Sequence, residues 1–491
     1  MLILILLLFP LAAAAIISCC RNDRFSRFML VFTAFVNTAV ICSILCVGRS
    51  NTLQLTKSLC LKADFDGLVI VTLTAVLFLF TAVHIIFWLP HDSKFSGGRT
   101  GMSQSKFTAF LLLFLFTMNL TALAQDFGML WVAVESTTIA SAPLINFHKS
   151  KKSLEAMWKY LLICSIGIGL ALFGTMLIAT SLNDPETGLA FSSIKNALAG
   201  GNFNITWFKS GFVFFLAGYG LKMGLAPFHT WLPDAYSESS SPVSALLSGA
   251  LINYSLLAIM RLLAVIPEQL LDFSTGYLKF FGFFSLAVSA FFIIRQKDFK
   301  RMLAYSSVEH MGVITLMLAY KLGYVALFHA VIHSLLKMSL FLAAGNILLS
   351  YRTRAVAAVK GLFYRLPRNA AAWVFGMLLI CGTPPSPLFL TELILVYNAG
   401  MIPGIAILLL LLIIFCAMSQ RMLSMTAPAE EITADTETDK LAKVPAFVLT
   451  LITIAGVISM LFTLLMIKVT ETFIQTWIAA WCQVFKDAGL W

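Results

Sequence analysis

Apolar residues dominate this chain in long continuous runs, and polar residues are confined to short intervals between them. Runs of about 20 residues, the length that a helix needs to cross about 30 Å of hydrocarbon, occur at 2–18, 27–48, 67–89, 107–125, 128–147, 159–181, 208–226, 243–266, 278–294, 302–320, 323–349, 371–397, 402–420 and 444–468. The pattern predicts about fourteen membrane-spanning helices joined by loop-sized polar stretches. The predicted fold class is an all-α integral membrane protein.

Composition and charge support the same class and indicate an orientation. Of the 491 residues, 59% are hydrophobic and 12% are charged, whereas a soluble domain has about 25% charged residues. The net charge of +11 would suggest a nucleic-acid partner for a soluble protein, but here the basic residues follow the membrane topology, so we expect no such partner. The odd-numbered connections hold about 22 Lys and Arg and the even-numbered ones about 8. Because basic loops stay in the cytoplasm, we expect both termini outside a bacterial or archaeal inner membrane. The first run is expected to be a span and not a signal peptide, because no basic residue precedes it.

The nine cysteines show no metal-binding spacing. None forms a CxxC pair, and no dinucleotide fingerprint, Walker loop or haem-attachment motif is present. We therefore predict no metal site and no catalytic residue in this chain, and we expect any redox cofactor to be bound by another subunit.

One lysine lies inside an apolar run, next to glycine and proline. Lys222 occurs in FLAGYGLKMGLAPFHTWLP, and an ammonium inside a bilayer costs roughly 2.5–3.5 kcal/mol on insertion scales. The residues that follow predict a break in the helix, which is tolerated only where the freed backbone groups line protein or a wet path. Lys222 is therefore predicted to take part in ion transport.

A second interrupted run follows an equivalent spacing. Glu135 precedes Lys222 by 87 residues, and His310 precedes Glu392, in GTPPSPLFLTELILV, by 82. Each pair begins in an unbroken span and ends beside a Gly/Pro interruption, two spans later. Such correspondence between two halves is the pattern of an inverted-repeat transporter. Glu135 falls in the fifth predicted span and His310 in the tenth, so the repeat unit contains five spans. Because five is an odd number, the second unit must be inverted across the membrane relative to the first.

Three longer motifs add a family resemblance. The strings LKMGLAPFHTWLPDAYSESSSPVSALLSG, KRMLAYSSVEHMG and FHAVIHSLLKMSLFLAAGNIL resemble the antiporter-like subunits of complex I, multisubunit cation antiporters and membrane-bound hydrogenases, most of all hydrogenase-4 component F. The resemblance implies fourteen helices with two inverted five-helix repeats, each containing a broken helix. The expected regions are helices 1–3 (1–106), the first repeat (107–266), the second repeat (267–425), and an acidic loop, helix 14 and an amphipathic tail (426–491).

The resemblance also assigns roles to ionisable residues. It implies that Glu135 and Lys222 form a pair whose changing separation moves a proton on or off; the alternative is a static buried ion pair that fixes helix register. His329, His333 and Lys337 recur at four-residue spacing on one helix face and are predicted to pass protons.

The same path is expected to continue at both of its ends. His310 is the expected inward-facing member of the Glu309/His310 dipeptide. Glu392 is the expected terminal group, and it is alternatively a carboxylate that stabilises a helix start.

Four further residues are candidates for proton entrance or bridging. His229 and Asp234 follow the first break and either form an entrance or cap a loop. Ser248 and Asn253 stand where relatives have a lysine or histidine that bridges the two half-channels, so any bridge here needs bound water.

The resulting hypothesis is a proton-translocating membrane-arm subunit of a hydrogenase-4-like or complex-I-like oxidoreductase. The chain itself binds no cofactor; iron–sulfur clusters and a nickel–iron site are expected in partner subunits, which include other membrane-arm subunits and a peripheral hydrogenase-like or quinone-reductase-like module. Two alternatives remain: a subunit of a redox-free cation/proton antiporter or bicarbonate-accumulating complex, and a scaffold without transport. The ion, H⁺ or Na⁺, and its direction are open.

Overall fold

The computed structural model describes residues 1–20, 22–47, 52–54, 60–95, 101–182, 188–201, 203–428 and 433–467. In these ranges the α-helices are α1 (Leu2–Cys19), α2 (Asp23–Val47), α3 (Phe65–Phe95), α4 (Gln104–Leu123), α5 (Phe127–Ile145), α6 (Lys151–Ser181), α7 (Phe191–Ala199), α8 (Ile205–Met223), α9 (Trp231–Glu238), α10 (Ser241–Leu246), α11 (Ile252–Leu263), α12 (Leu271–Ile294), α13 (Phe299–Ala319), α14 (Gly323–Tyr351), α15 (Leu362–Arg365), α16 (Pro367–Ile380), α17 (Pro387–Ala399), α18 (Met401–Thr426), α19 (Thr436–Asp439) and α20 (Lys443–Ile467).

The helical membrane fold is confirmed. Of the described segments, 12 are long and apolar enough to cross a membrane. The two other predicted spans correspond to the short helices α16 and α17 and to α20, a helix of 25 residues. The total of fourteen spans and their inverted repeats remain predictions.

Both predicted helix breaks are present, and each has a glycine in the left-handed region. α8 ends at Met223 and is followed by Gly224 at φ 89°. α16 ends at Ile380 and is followed by Gly382 at φ 66°. Residues with a Cβ rarely adopt this conformation, so glycine allows the chain to turn out of each helix where the sequence predicts it.

The interface between α6 and α8 depends on small residues. A Cβ on Gly174 would lie 2.4 Å from the Phe215 backbone nitrogen, and a Cβ on Gly218 would lie 2.4 Å from the Gly167 carbonyl oxygen. Glycine at these positions lets the two backbones approach closely, as in other membrane helix pairs. The contact fixes the axial position of α8 and therefore of Lys222 at its end.

The most polar spans lie at the centre of the bundle. The span of α13 is 100% buried and the span formed by α10 and α11 is 94% buried, whereas α18 is 28% buried. The ionisable and hydroxyl side chains of α13 therefore face protein, and the strongly apolar helix α18 faces the periphery, where contact with hydrocarbon is favourable. The loops 149–159, 227–242, 295–301 and 352–368 meet at one end of the bundle, here named the basic end.

Several local features differ from the sequence predictions. The 49–66 loop contains a two-stranded antiparallel hairpin, β1 (Thr52–Gln54) with β2 (Cys60–Lys62), so the fold is not purely helical. The 183–206 loop contains α7. A π-helical segment, Leu247–Leu251, separates α10 from α11; such irregular turns are common at functional sites.

The acidic stretch at 430–439 was interpreted as a solvated loop, and its last residue contradicts this. Asp439 is buried, and its Oδ1 accepts hydrogen bonds from the backbone N–H groups of Arg368 and Asn369, both at 3.0 Å. A carboxylate at a helix N-terminus satisfies donors that have no partner within the helix. Asp439 therefore anchors the start of α16. The amphipathic tail predicted near 473–485 lies outside the described residues.

Candidate functional site

Lys222 lies in the last turn of α8 and is completely buried. Its Nζ donates hydrogen bonds to the Val134 carbonyl oxygen, to Thr137 Oγ1 at 3.0 Å and to Thr138 Oγ1 at 2.6 Å. All three acceptors belong to α5. The ammonium group is thus surrounded by neutral oxygens, which replace part of its lost hydration.

Glu135 lies next to these acceptors on α5 and is half-buried. Its Oε1 accepts from Ser165 Oγ at 2.7 Å, and its Oε2 accepts from Thr138 Oγ1 at 3.3 Å. Among the described residues no direct ion pair joins Glu135 to Lys222. The expected pair is instead connected through the Thr138 hydroxyl, which accepts from the lysine and donates to the carboxylate.

Lys337 forms a second buried lysine site on α14. Its Nζ donates to the Leu303 carbonyl oxygen at 2.6 Å and to Ser306 Oγ at 2.9 Å. Both acceptors belong to α13, at positions i and i+3, the same spacing as Val134 and Thr137 on α5. Each lysine is thus held by a carbonyl and a hydroxyl one turn apart on a neighbouring helix.

The histidines of α13 and α14 form one cluster. His310 Nδ1 lies 3.1 Å from His329 Nε2, and the His310 and His333 ring centroids are 4.9 Å apart. His310 Nε2 and both ring nitrogens of His333 are buried without a hydrogen-bond partner in the protein. Neutral imidazole both donates and accepts, so neighbouring rings can exchange a proton. The structure brings together the three histidines that the sequence placed on the proton path, while the entrance candidate His229 lies elsewhere.

Glu392 closes this cluster from α17. His329 Nδ1 is 2.8 Å from Thr391 Oγ1, and one potential ligand atom each of His310, His329 and Glu392 lies within 4.8 Å of the others. A Cβ on Gly382 would lie 2.2 Å from Glu392 Oε2, so the second helix break makes room for the carboxylate. The prediction of no metal site rested on cysteine spacing and did not anticipate this grouping.

The dipeptide Glu309/His310 was predicted to point in two directions. Both side chains are buried, because α13 is surrounded by protein on all sides. Glu309 Oε2 has no hydrogen-bond partner in the protein. Sequence reasoning gave Glu309 no role, because neighbours on a helix face different directions and only one of them was expected to face inward.

Asn253 lies between the two lysine sites, beside the π-helical segment. Its Nδ2 donates to the Gly249 carbonyl oxygen at 2.7 Å and to Ser334 Oγ at 2.8 Å, and its Oδ1 has no partner. Ser334 lies on α14, between His333 and Lys337. Ser248 Oγ reaches only a carbonyl of its own helix, at 3.4 Å. Of the two bridging candidates, Asn253 contacts the second lysine's helix.

The sequence comparisons identify a family for most of the chain. A family described as "NADH:quinone oxidoreductase/Mrp antiporter, TM" matches residues 124–419. The chain belongs to this family. The matched range contains every candidate residue from Glu135 to Glu392.

Individual proteins are similar to this chain in sequence or in fold. The chain is 36% identical over 293 residues to a hydrogenase-4 component F homolog of Methylacidiphilum infernorum, covering 58% of this chain and 61% of that protein. The aligned region thus spans about three fifths of that relative's length. Two solved structures match this chain in fold, each with a TM-score of 0.81 and each over 94% of this chain and 95% of the other. One is an archaeal membrane-bound sulfane sulfur reductase, at 20% identity, and the other is the Mrp complex of Dietzia sp., at 18% identity.

The loop after Lys222 forms ion pairs with the other segments of the basic end. Asp234 contacts Lys159 at 3.1 Å and Arg301 at 3.0 Å, and Glu238 contacts Arg354 at 2.9 Å. This loop, residues 227–242, contains no Lys or Arg and supplies the acidic partners of its basic neighbours. The sequence indicated only an excess of Lys and Arg on one side of the membrane, and it did not predict this intramolecular contact.

His229, the other entrance candidate, is only 6% exposed. Its ring packs near Tyr305 and Phe292, with centroids 6.0 and 6.1 Å away, and its Nδ1 has no partner. His229 and Asp234 therefore occupy different surroundings, one among aromatic rings and the other in an ion-pair network.

A third buried lysine was missed by sequence reasoning. Lys300 is 1% exposed, and its Nζ donates to the Ser239 carbonyl oxygen at 2.7 Å. The sequence RQKDFKR was assigned to a loop, but α13 begins at Phe299, with Asp298 Oδ1 accepting from the N–H groups of Lys300 and Arg301. The N-cap aspartate is the signal that could have placed Lys300 inside the helix.

Proposed function

We propose that this chain is a proton-translocating membrane-arm subunit of a hydrogenase-4-like or complex-I-like oxidoreductase. The observation that supports it is a series of buried ionisable side chains, running from α5 and α8 through the bundle centre to α17. Burying this many charged or titratable groups in a membrane protein costs free energy, and in membrane proteins such groups mark the paths of ions. The family match supports the same function.

In the proposed mechanism the first step takes place at Lys222. A proton reaches Lys222 from the basic end, where His229 and Asp234 are the candidate entrance groups. Glu135 attracts the ammonium through Thr138, and a small shift of α5 relative to α8 changes that attraction. The pair thereby acts as a switch between loading and release.

The next step crosses from the first half of the bundle to the second. Asn253 and Ser334 provide amide and hydroxyl groups there, and neither changes charge. The proton therefore passes through water that these groups orient, and it is received at Lys337.

The final step uses the histidine cluster. From Lys337 the proton passes by way of His333, His310 and His329 to Glu392, beside the second helix break. Glu392 then releases it on the opposite side from the basic end. In this scheme the regions 107–266 and 267–425 act as the two inverted repeats.

The redox chemistry belongs to other subunits in this proposal. The family matches include membrane complexes with several subunits, so we infer membrane-arm partners and a peripheral hydrogenase-like or quinone-reductase-like module that holds iron–sulfur clusters and a nickel–iron site. The chain is an integral membrane protein, proposed to lie in the inner membrane with both termini outside and the basic end in the cytoplasm.

A redox-free cation/proton antiporter, or a bicarbonate-accumulating complex, is the second candidate. The observation in its favour is that the Mrp complex matches this chain as well in fold as the sulfur reductase does, both with a TM-score of 0.81. Co-purification separates the two candidates: iron–sulfur and nickel–iron proteins in the isolated complex support the first, and a complex without them supports the second.

The decisive experiment removes the ammonium of the first site. With Lys222→Ala in the assembled complex, redox-driven proton uptake by inverted vesicles should fall to the uncoupled background. Lys209→Ala, on the same helix but 13 residues earlier and half-buried, should leave uptake unchanged. Unchanged uptake in the Lys222 variant would show that the proposal is wrong. An absence of proton flux in liposomes, both for the wild type and for Glu392→Gln, would instead support a scaffold without transport.

A further inference from the structure

Two neighbouring cavities lie between α3 and the start of α20, and the first of them is also lined by α2. One has a volume of about 690 Å³ and an almost entirely apolar lining. The other, about 450 Å³, lies at the basic end and includes ionisable side chains. They share Val83, Lys443 and Val444 as lining residues. Together they form one groove, here named the α3–α20 groove, with an apolar part and a polar mouth.

The mouth of the groove has an excess of positive charge. Lys440 and Lys443 line it and are exposed, with Glu437 as the acidic residue of the lining. In the part of the chain that the structure describes, neither ammonium group takes part in an ion pair. Two free ammonium groups above an apolar groove, at the level where a helix leaves the membrane, match the charge of an anionic lipid headgroup.

A buried histidine lies deeper in the same cavity. His84 is 1% exposed, lines the polar cavity, and has an Nε2 without any hydrogen-bond partner in the protein. It precedes His91, a further lining residue, by two helical turns on α3. A buried polar nitrogen is unfavourable unless it is paired, so the groove is built for an occupant that brings an oxygen to this depth.

We propose that the α3–α20 groove binds one anionic phospholipid. Its phosphate lies at Lys440 and Lys443, a glycerol or ester oxygen pairs with His84 Nε2, and its acyl chains fill the apolar cavity along Phe32 and Phe447. Inorganic phosphate has nothing to fill the apolar cavity, and a hydrocarbon gives nothing to the lysines, whereas a phospholipid provides for both. This site is separate from the buried series of ionisable groups and does not depend on the proposed function.

The first test measures lipid binding to the complex by native mass spectrometry. The complex is titrated with phosphatidylglycerol or phosphatidylethanolamine in detergent. The double variant Lys440→Gln/Lys443→Gln should bind phosphatidylglycerol about 30-fold more weakly than the wild type, because each lysine near the membrane surface contributes to attraction of an anionic lipid. Lys151→Gln/Lys152→Gln removes the same charge from exposed positions at the basic end and should have no effect on this site.

The second test changes the shape of the groove without changing its charge. Val83→Trp places a large side chain where the two cavities meet and should abolish retention of the lipid while leaving Lys440 and Lys443 in place. Equal affinity for the two lipids in the wild type, or equal losses in both lysine double variants, would overturn the proposal. Retention of the lipid by the Val83 variant would overturn it as well.

A third measurement identifies the occupant directly. A photoreactive benzoylphenylalanine in place of Phe447, which lines the apolar cavity, should give an adduct with the mass of a phospholipid after illumination of native membranes. An adduct with a peptide from residues 468–491, or with a helix of another subunit, would assign the groove to protein and refute lipid binding.

Discussion

Thr138 is the residue through which Lys222 and Glu135 communicate, and replacing it by valine tests that arrangement. Valine keeps the shape of threonine and removes the hydroxyl. The change eliminates the 2.6 Å hydrogen bond from Lys222 and the 3.3 Å hydrogen bond to Glu135. A hydrogen bond to a charged group contributes about 1.5–3 kcal/mol, and every 1.36 kcal/mol changes a rate tenfold. We therefore expect proton flux to fall about 10- to 150-fold.

The matched control is Thr137→Val. Thr137 accepts from Lys222 at 3.0 Å and donates to the Val134 carbonyl oxygen, and it has no hydrogen bond to Glu135. If Thr138 acts as the connection, its valine variant should lose much more flux than the Thr137 variant. The assay is proton uptake into proteoliposomes driven by a potassium diffusion potential and followed with a pH-sensitive dye. Equal losses in both variants, or flux within twofold of wild type for Thr138→Val, would refute the reasoning.

Three further changes test other parts of the structure. Asn253→Leu removes the amide that contacts Ser334 and should lower flux about 2- to 10-fold, the effect of one neutral hydrogen bond; unchanged flux in the same assay would place the proton path elsewhere. Lys300→Met removes a buried ammonium and its 2.7 Å hydrogen bond to the Ser239 carbonyl oxygen and should lower proton uptake about 10- to 150-fold, the effect of one hydrogen bond to a charged group; unchanged uptake by a normally assembled complex, checked by gel filtration, would contradict this. Arg261→Met removes the 2.8 Å ion pair with Asp64 and the 2.6 Å hydrogen bond to the Ala122 carbonyl oxygen and should lower the free energy of unfolding by about 1.5–3 kcal/mol; a melting temperature equal to that of wild type would contradict this.

Much of the candidate site could be predicted because charge inside an apolar run is conspicuous. Lys222, Lys337 and Glu392 each interrupt a hydrophobic segment, and glycine and proline next to two of them mark the helix breaks that the structure contains. The four-residue spacing of His329, His333 and Lys337 placed them on one face of α14. These are local signals, and they depend only on helix geometry and on the free energy of placing charge in hydrocarbon.

The residues that were missed have no such local signal. Lys300 lies in a string of charged residues that resembles a loop, and only the packing of α13 against the 227–242 loop buries it. Asp439 belongs to an acidic stretch, and its role depends on meeting the start of α16, about 70 residues away in sequence. Thr138 is an ordinary polar residue until α5 meets α8, where its hydroxyl accepts from Lys222.

The sequence by itself determined the membrane class, the approximate positions of the spans, the two helix breaks and the ionisable residues inside apolar runs. Each of these follows from hydrophobicity and backbone chemistry over fewer than about 30 residues. Only the tertiary structure decided which groups meet. It placed the Thr138 hydroxyl between Lys222 and Glu135 and joined Asn253 to Ser334 across helices. It also paired Asp234 and Glu238, in a loop without Lys or Arg, with basic residues of three neighbouring segments. The physical reason is that hydrogen bonds and ion pairs act over a few ångströms, so their partners are set by how the helices pack and not by distance along the chain.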